Sequence, residues 1–407
     1  MKKVGWKYCK LGDVCLTING LWKGKKEPFI RVGVLRNANF TKDFTLDYSK
    51  TEYLDVEVRQ YEKRKLETGD LIVEKSGGSD KQPVGRTVLF EAENGEYSFS
   101  NFTSVLRIKN KNLFISKYLY YNILHIYWRG DTKTMQKATT GIHNLDFDRF
   151  LDLQILVCSY NDQQQIVEYL DTTFEKIDRI KEKAEKKIED AKGLFQAALN
   201  EKLKMREGWK EMQLDEVIIH LRTGLNPRVH FKLNTLDATG YYITVRELKG
   251  FTFEVDEKTD RINKQALLRI NERSNLKVGD VLFSGTGTIG KTAIVKELPL
   301  WWNIKEGVYA MTLDSNKLYS KLLVYEFMSN RILDNIIKKA SGTTVKSIPM
   351  KELIKIYIPV PPLATQQQIV SDLDALNEKT NAIEHSCRQI ISECDNLKQA
   401  ILKQVFE

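Results

Sequence analysis

Two stretches of the chain carry apolar or small residues at three- and four-residue steps, sustained over several heptads. The first covers 163–205, with Ile166, Leu170, Phe174, Ile177, Ala184, Ile188, Ala191, Phe195 and Ala198 on one seam. The second covers 366–407, with Ile369, Leu373, Leu376, Thr380, Ile383, Cys387, Ile390, Cys394, Leu397 and Ile401. This is coiled-coil spacing. Ile180 and Leu194 widen the first stripe, and Lys181 breaks it once. Neither stretch contains Pro, and the lone Gly193 costs about 1 kcal/mol of helix stability. About 42 residues at 1.5 Å rise make a rod of ~60 Å. A rod with one apolar seam needs a partner. The other rod is the candidate, packed antiparallel so that the blocks before them lie at opposite ends. Cys387 and Cys394, one heptad apart on the seam, read as buried structural thiols.

The blocks between the rods switch to a mixed pattern. Strand alternation appears at 70–76 and 86–90, and again at 279–284 and 291–295. Helix patterns follow at 116–128 and 318–338. Small-residue loops come next, KATTGIHNL (137–145) and KASGTTVKSI (339–348). Last strands precede the rods at 151–157 and 353–360, the second ended by Pro359, Pro361 and Pro362. The expected order is a globular block over 1–162, a helix over 163–207, a block over 208–365 and a helix over 366–407. The fold class is mixed α/β, with two globular blocks and two long antiparallel coiled-coil helices.

The halves are copies. QQQIV stands at 163–167 and at 366–370, an offset of 203 that also carries Trp6-Lys7 onto Trp209-Lys210 and Gln196-Ala197 onto Gln399-Ala400. With a drift of a few residues, Gly69-Asp70 pairs with Gly279-Asp280, and Gly85-Arg86-Thr87 with Gly290-Lys291-Thr292. The period is too long for a solenoid unit, so a whole domain and its appendage are duplicated.

Composition sharpens this picture. The chain has 407 residues and a net charge of +9. Residues 1–162 hold 26 basic and 20 acidic residues; 208–365 hold 23 and 17. Each block is therefore +6, while the rods are 0 and −3. Two equally basic blocks on a spacer suit a target with two separated anionic sites, of which double-stranded DNA is the simplest. Five scattered Cys argue against a disulfide scaffold or zinc ribbon. With no signal-peptide pattern and no membrane-length apolar run, a cytoplasmic, soluble protein is expected.

Among catalytic signatures the chain shows one. GTGTIGKT (285–292) fits the Walker A pattern. A phosphate loop needs a helix after it, whereas KTAIVKELPLWWN is β-branched and holds Pro299. The first-half counterpart, GGSDKQPVGRT (77–87), loses the spacing, so both read as glycine-rich hairpins. There is no Asp-Pro-Pro-Tyr or Asn-Pro-Pro-Phe loop and no Gly-x-Ser-x-Gly elbow. Two alternatives stay open at this point: a P-loop nucleotide-dependent enzyme, and a DNA-binding coiled-coil adaptor that reads no sequence.

Two basic blocks, each followed by a repeated long helix, resemble the specificity subunit of Type I restriction–modification systems. The most specific elements are PVPPLATQQQIVSDLD (359–374) and GDVLFSGTGTIGKTAIV (279–295), with block openings at Trp6-Lys7 and Trp209-Lys210. The first copy, LVCSYNDQQQIV, lacks the usual double Pro, and Ala364-Thr365 stand where an acidic residue is usual. The resemblance implies that each block is a target-recognition domain reading half of a bipartite DNA site. It implies paired helices that set the gap and dock two methyltransferase subunits. A restriction/translocase subunit would join them, S-adenosylmethionine and ATP with magnesium would bind those partners, and this chain would be non-catalytic and hold no cofactor. Side-chain chemistry and loop position select DNA-contact candidates. In the first block they are Asn19, Lys23, Lys25, Lys75, Lys81, Arg86, Lys133, Gln136 and Lys137. In the second they are Arg222, Thr223, Asn226, Arg228, Lys291, Lys339, Thr343 and Lys346. Helix pairing is assigned to Ile166, Leu170, Ile177, Ile188, Ile369, Leu373, Ile383 and Ile390.

Overall fold

The repeated Gly-Asp pair opens the central strand of a four-stranded sheet in each half. The computed structural model describes residues 5–22, 24–80, 82–92, 94–139, 142–298 and 301–407, with only the backbone at 138–139. The chain divides into two units, one of 1–184 with 389–407 and one of 185–388. Each long helix thus contributes to both units.

The strands of the first unit are β1 (Lys7–Lys10), β2 (Cys15–Asn19), β3 (Phe29–Leu35), β4 (Glu52–Glu57), β5 (Leu71–Glu74), β6 (Ser76–Gly78), β7 (Thr87–Leu89), β8 (Tyr97–Phe99), β9 (Thr103–Ile108), β10 (Gln136–Thr139), β11 (Ile142–Leu145) and β12 (Gln154–Val157). The second unit holds β13 (Lys210–Gln213), β14 (Ile218–Thr223), β15 (Gly240–Ile243), β16 (Arg261–Ile262), β17 (Val281–Ser284), β18 (Thr292–Ile294), β19 (Trp302–Ile304), β20 (Val308–Leu313) and β21 (Tyr357–Val360). The central sheets run β2-β9-β5-β7 and β14-β20-β17-β18, antiparallel throughout. Side sheets β4-β3-β8 and β16-β15-β19 each pair one neighbour parallel and one antiparallel. A two-stranded tie, β1-β12 or β13-β21, joins each block's start to its end. The first unit adds β10-β11-β6.

Both faces of each central sheet are covered, and successive residues serve opposite cores. Leu71 and Val73 face the helix Ser116–Arg129 and the long helices, while Ile72 faces the side-sheet core. Val281 and Phe283 repeat this against Leu282. Gly69 and Gly279 turn with φ of 96° and 92°. The following aspartate receives a backbone N–H from Glu67 or Lys277, at 2.8 and 2.9 Å. Its carboxylate also takes an arginine, Arg107 for Asp70 and Arg222 for Asp280.

Several expected boundaries move. The expected 318–338 helix is two, Ser320–Met328 and Asn330–Lys339. Ser329 breaks it with an extended backbone and caps the second, its Oγ accepting from Ile332 N–H. The 137–145 loop is the hairpin β10-β11, whose tip at 140–141 lies outside the described residues, as does Pro299. Pro359 does not end its strand; it sits inside β21 opposite Glu211. A two-stranded edge tolerates a proline that donates no hydrogen bond. Residues 151–153 and 353–356 precede the last strands rather than joining them; Leu151 and Leu353 end the short helices Phe147–Leu151 and Met350–Leu353, and the rest connect.

The long helices span Tyr160–Lys202 and Leu363–Phe406. In the first copy Ser159 replaces the double Pro: its Oγ accepts from Asp162 N–H (3.1 Å) and donates to the Asp162 carboxylate (2.8 Å). Within the first unit, Ile166, Leu170, Phe174 and Ile177 share a core with Cys394, Ile401, Leu402 and Phe406. Asp178 meets Lys398 at 2.5 Å and Lys181 meets Asp395 at 3.0 Å. Within the second, Phe195, Leu199 and Leu203 share a core with Ile369 and Leu373. Lys192 meets Glu384 at 3.3 Å and Lys202 meets Asp372 at 2.6 Å. In each unit one helix's numbers rise as its partner's fall, so the pairing is antiparallel.

The seam differs from the periodic reading in detail. Ile180, Leu194, Ile390 and Leu397 are exposed, while Ile188 and Ile383 are half-buried. After Cys387 the seam steps four residues to Ile391, then to Cys394 and Lys398. Isoleucine stands at both 390 and 391, so periodicity alone could not choose. Lys398 fills the place assigned to Leu397 by laying its ammonium 5.2 Å over the Phe174 ring, beside Asp178. Lys181, the interruption, lies between Asp43 (2.7 Å) and Asp395. Burial alone would lower its pKa; the two carboxylates outweigh that and hold it above the usual lysine range. Cys387 and Cys394 are buried and unbridged, and burial raises the Cys394 thiol.

The repeated QQQIV has a structural cause. Gln163 and Gln366 are fully buried. Gln163 Oε1 accepts from Ile115 N–H (3.0 Å), and its Nε2 donates to the Leu113 and Cys158 carbonyls. Gln366 does the same with Tyr319 N–H (3.0 Å) and the Lys317 and Pro361 carbonyls. Two turns on, Tyr121 and Lys117 hold Asp171, as Tyr325 and Lys321 hold Asp374.

The buried Glu326 carboxyl lacks such partners. Glu326 occupies the place of Asn122, whose Oδ1 accepts from Leu156 N–H. Both Glu326 carboxyl oxygens are buried without a hydrogen bond, with Arg331 at 3.5 Å. Burial pushes its pKa well above the usual glutamate value, against the pull of Arg331.

Two predictions follow from the packing. Ile177, 4% exposed, should not tolerate Lys: Ile177→Lys buries an unpaired charge and should cost about 3 kcal/mol or more in urea unfolding. Ile390→Lys, at a site 38% exposed, should cost less than about 1 kcal/mol. Equal losses would contradict this seam. Glu326 binds its proton more tightly in the folded than in the unfolded chain. Its effect on stability is therefore absent at low pH and grows unfavourable as pH rises through 4.5 towards the folded value. Glu326→Gln should gain stability over wild type across that window and match it more closely below, read by urea midpoints across a pH series.

Candidate nucleic-acid interface

Each central sheet has one end where loops from distant parts of the block meet. In the first unit these are the end of β2, the segment after β5 and the hairpin β10-β11. Asn19 Oδ1 accepts from Lys75 Nζ and Ser104 Oγ, each at 3.3 Å. Lys75 N and Ser76 N donate to the Phe102 carbonyl, and Leu145 N donates to the Lys75 carbonyl (2.8 Å). β6 pairs with β11 through Gly78–His143 and Ser76–Asn144. Asn37 Nδ2 donates to the Ser76 carbonyl, while its Oδ1 is buried without a partner among the described residues.

The second unit assembles the same end from equivalent segments. Gly285 N donates to the Gly307 carbonyl, Ile348 N to the Gly285 carbonyl and Gly287 N to the Lys346 carbonyl, at 2.8–2.9 Å. Thr286 bridges to Ser347 and shares a hydroxyl hydrogen bond with it (3.0 Å). A cleft opens beside them, lined by Thr244, Arg246, Lys258, Asp260, Thr286 and Lys305. β18 follows Lys291 directly and returns antiparallel on β17, so GTGTIGKT is a hairpin and no helix N-terminus faces it.

The structure sorts the DNA-contact candidates by what already holds them. Arg86 is spent: it forms a two-pronged pair with buried Glu74 (2.7 and 3.1 Å) and lies over Phe40. Arg222 is likewise half-buried and held by Asp280 (2.9 Å), Thr312 and the Asn275 carbonyl. Thr223 is buried, donating to the Val308 carbonyl and accepting from Gly307 N–H. Gln136 Oε1 accepts from Val84 N–H and lies 3.3 Å from His143 Nδ1. Asn226 caps the short helix Pro227–His230. These five support the fold. Polar residues at loop ends look alike in sequence whether they face inwards or outwards.

The remainder lie on the surface or near it. Lys75 is half-buried at the loop convergence, and burial lowers its pKa. Asn19, Lys25, Lys133, Arg228, Lys291, Lys339, Thr343 and Lys346 are exposed, and exposed Lys137 pairs with Asp146 at 2.7 Å. Lys291 occupies the place of Arg86 yet is free of its fate, because Glu74 has become Ser284. Lys23 and Lys81 lie outside the described residues. Lys258 and Lys305 line the second cleft without having been candidates, because only the fold brings their segments together. Arg246 beside them pairs with buried Glu247 (2.7 Å).

The sorting is testable by stability. Arg86→Ala and Arg222→Ala each strand a buried carboxylate and should cost about 3–5 kcal/mol in urea unfolding. Lys291→Ala and Lys346→Ala should stay within about 0.5 kcal/mol of wild type. Arginine variants as stable as wild type would return those residues to the candidate set.

Comparison with known proteins agrees with this duplicated architecture. The family model of the Type I restriction modification DNA specificity domain matches twice, over residues 3–190 and 206–393. The chain is similar to the Type I restriction enzyme StySPI specificity subunit of Salmonella potsdam, 23% identical over 99% of this chain and 88% of that protein. It is also similar to the putative type I restriction enzyme MjaX specificity subunit of Methanocaldococcus jannaschii, 22% identical over 92% of this chain and 87% of that one. Among solved structures, a chain from a study of complex assembly and conformational transition of the type I R-M system shares the fold, with a TM-score of 0.73, 18% identity and coverage of 99% and 98%. No helix among the described residues is long and apolar enough to cross a membrane. With two matched domains covering most of its length, the chain belongs to the family of Type I restriction–modification DNA specificity subunits.

Proposed function

We propose that each globular block reads one half of a bipartite double-stranded DNA site. The paired helices set the gap between halves and dock two methyltransferase subunits. S-adenosylmethionine, and ATP with magnesium, belong to those partners and to a restriction subunit; this chain supplies recognition and no catalysis, in the cytoplasm. The observation that carries the reading is the duplicated specificity domain, with the same strand order in both units. A basic charge of +6 per block supplies sequence-independent attraction to phosphate. Side chains at the loop convergence supply contacts to base edges.

Methylome sequencing of cells carrying this gene with its methyltransferase partner tests the reading. A two-part adenine-methylated motif with a fixed gap is expected, and exchange of residues 208–365 for another such block should change one part only. A continuous motif, or none, would refute it. Lys346→Ala should weaken DNA binding and make its salt slope shallower by about one unit if the lysine meets a phosphate. Titration of the purified chain with ATP and magnesium should give no saturable heat. A heat that vanishes in Lys291→Ala would restore the enzyme alternative.

A further inference from the structure

The first unit carries a large aromatic side chain that packing does not explain. Trp22 is 66% exposed. Among the other described tryptophans, Trp302 is fully buried, Trp6, Trp128 and Trp209 pack against the main clusters, and Trp301, though 39% exposed, lies among the rings of Tyr241, Phe253 and Trp302. Leaving an indole in water forgoes the burial that its area would otherwise bring.

Its position is set by the frame of the loop convergence. Trp22 follows Asn19, Gly20 and Leu21 at the end of β2. Leu21 N donates to the Phe99 carbonyl (2.8 Å), and Leu21 bridges to Ser100. A Cβ on Gly20 would run into the Ser100 carbonyl, so only glycine lets the chain pass so close. Arg64 Nε holds both the Asn19 and Gly20 carbonyls at 3.1 Å. The segment leading into Trp22 is thus tied by the Leu21 main chain on one side and the Arg64 side chain on the other, three residues from the Asn19 that accepts from Lys75. Exposed Lys25 and Lys26 follow on the same loop.

The second unit repeats the frame and changes the tip. Gly224 backs on the Ile304 carbonyl as Gly20 does on that of Ser100, and Leu225 bridges to Lys305 as Leu21 does to Ser100. The next residue is Asn226 instead of Trp22. A fixed frame with an exchanged tip is what two blocks need in order to read different half-sites.

We propose that Trp22 is a specificity-determining residue of the first block, and that its exposed indole stacks on or wedges beside a base step of the DNA half-site that this block reads. The proposal rests on the functional reading above. An aromatic face on a basic loop can press against a base step, favouring steps that unstack at low cost.

The full chain with its methyltransferase partner, and a pool of random-sequence duplexes, provide the test. Sequences enriched by wild type, Trp22→Ala and Trp22→Phe are compared, together with affinities for the wild-type consensus. Trp22→Ala should relax one half of the consensus, leave the other half and the gap unchanged, and weaken binding roughly tenfold, within the range of aromatic–base stacking. Trp22→Phe should recover most of both. Equal loss in the two halves would mark a general folding defect and overturn the assignment, as would an unaltered consensus with unaltered affinity in Trp22→Ala. In that last case the two-part consensus of wild type would still uphold the functional reading. A wild-type pool without any consensus would overturn both.

Discussion

Burying a primary amide costs several kcal/mol unless its oxygen and nitrogen find partners. Each half of this chain does so at the same place. Gln163 and Gln366 stand in the first turn of a long helix, and each links that turn to the loop before the preceding core helix, accepting there from the Ile115 or Tyr319 N–H. The lower part of each long helix therefore cannot tilt against its block without breaking three hydrogen bonds in the dry interior. The Tyr–Asp and Lys–Asp contacts two turns later fix its rotation. Once base and rotation are set, the helix presents one stripe, and the partner helix must supply the complementary one.

Duplicated frames also show which polar interiors are interchangeable. Asp70 and Asp280 keep the same turn but recruit arginine from different strands, Arg107 from β9 and Arg222 from β14. Thr312, standing where Arg107 would be, donates its hydroxyl to Asp280 instead. At the neighbouring position Glu74 needs Arg86, whereas Ser284 is satisfied by Lys291 N–H and the Thr288 carbonyl. The constraint is that each buried acceptor be satisfied, not that a given residue do it. That freedom released Lys291 to the surface, where its glycine neighbours give it the look of a phosphate loop.

Much of the architecture was legible because it rests on periodicity and repetition. Seam residues such as Ile166, Leu170 and Ile369, the duplication and the glycine hairpins are all local patterns. The site was much less legible. Arg86, Arg222 and Thr223 have the residue types and loop positions of DNA contacts, and the structure turns all three to internal partners, Thr223 buried and the two arginines half-buried. Those contacts depend on Glu74, Asp280 and Val308, partners between twelve and eighty-five residues away, and a loop sequence carries no sign of which polar neighbours will arrive. The choice between Ile390 and Ile391 failed for a simpler reason. Two adjacent isoleucines satisfy a three- or four-residue step equally well, and the packing against the first helix decides.

Variable recognition also needs a frame indifferent to the side chains it displays. At the second loop convergence the ties run from Gly285, Gly287 and Ile348 N–H groups to the carbonyls of Gly307, Lys346 and Gly285. At the first they run from Lys75, Ser76 and Leu145 N–H groups to the carbonyls of Phe102 and Lys75. Backbone groups make these contacts, and every residue but proline carries both donor and acceptor. Substitution at Thr343, Lys346 or Lys137 therefore alters what faces outwards while the loops keep their course. Glycine is required where chains nearly touch, as at Gly20 and Gly224. A DNA-specificity domain built in this way can change the bases it reads by side-chain exchange at loop tips, at little cost to the sheet that holds them.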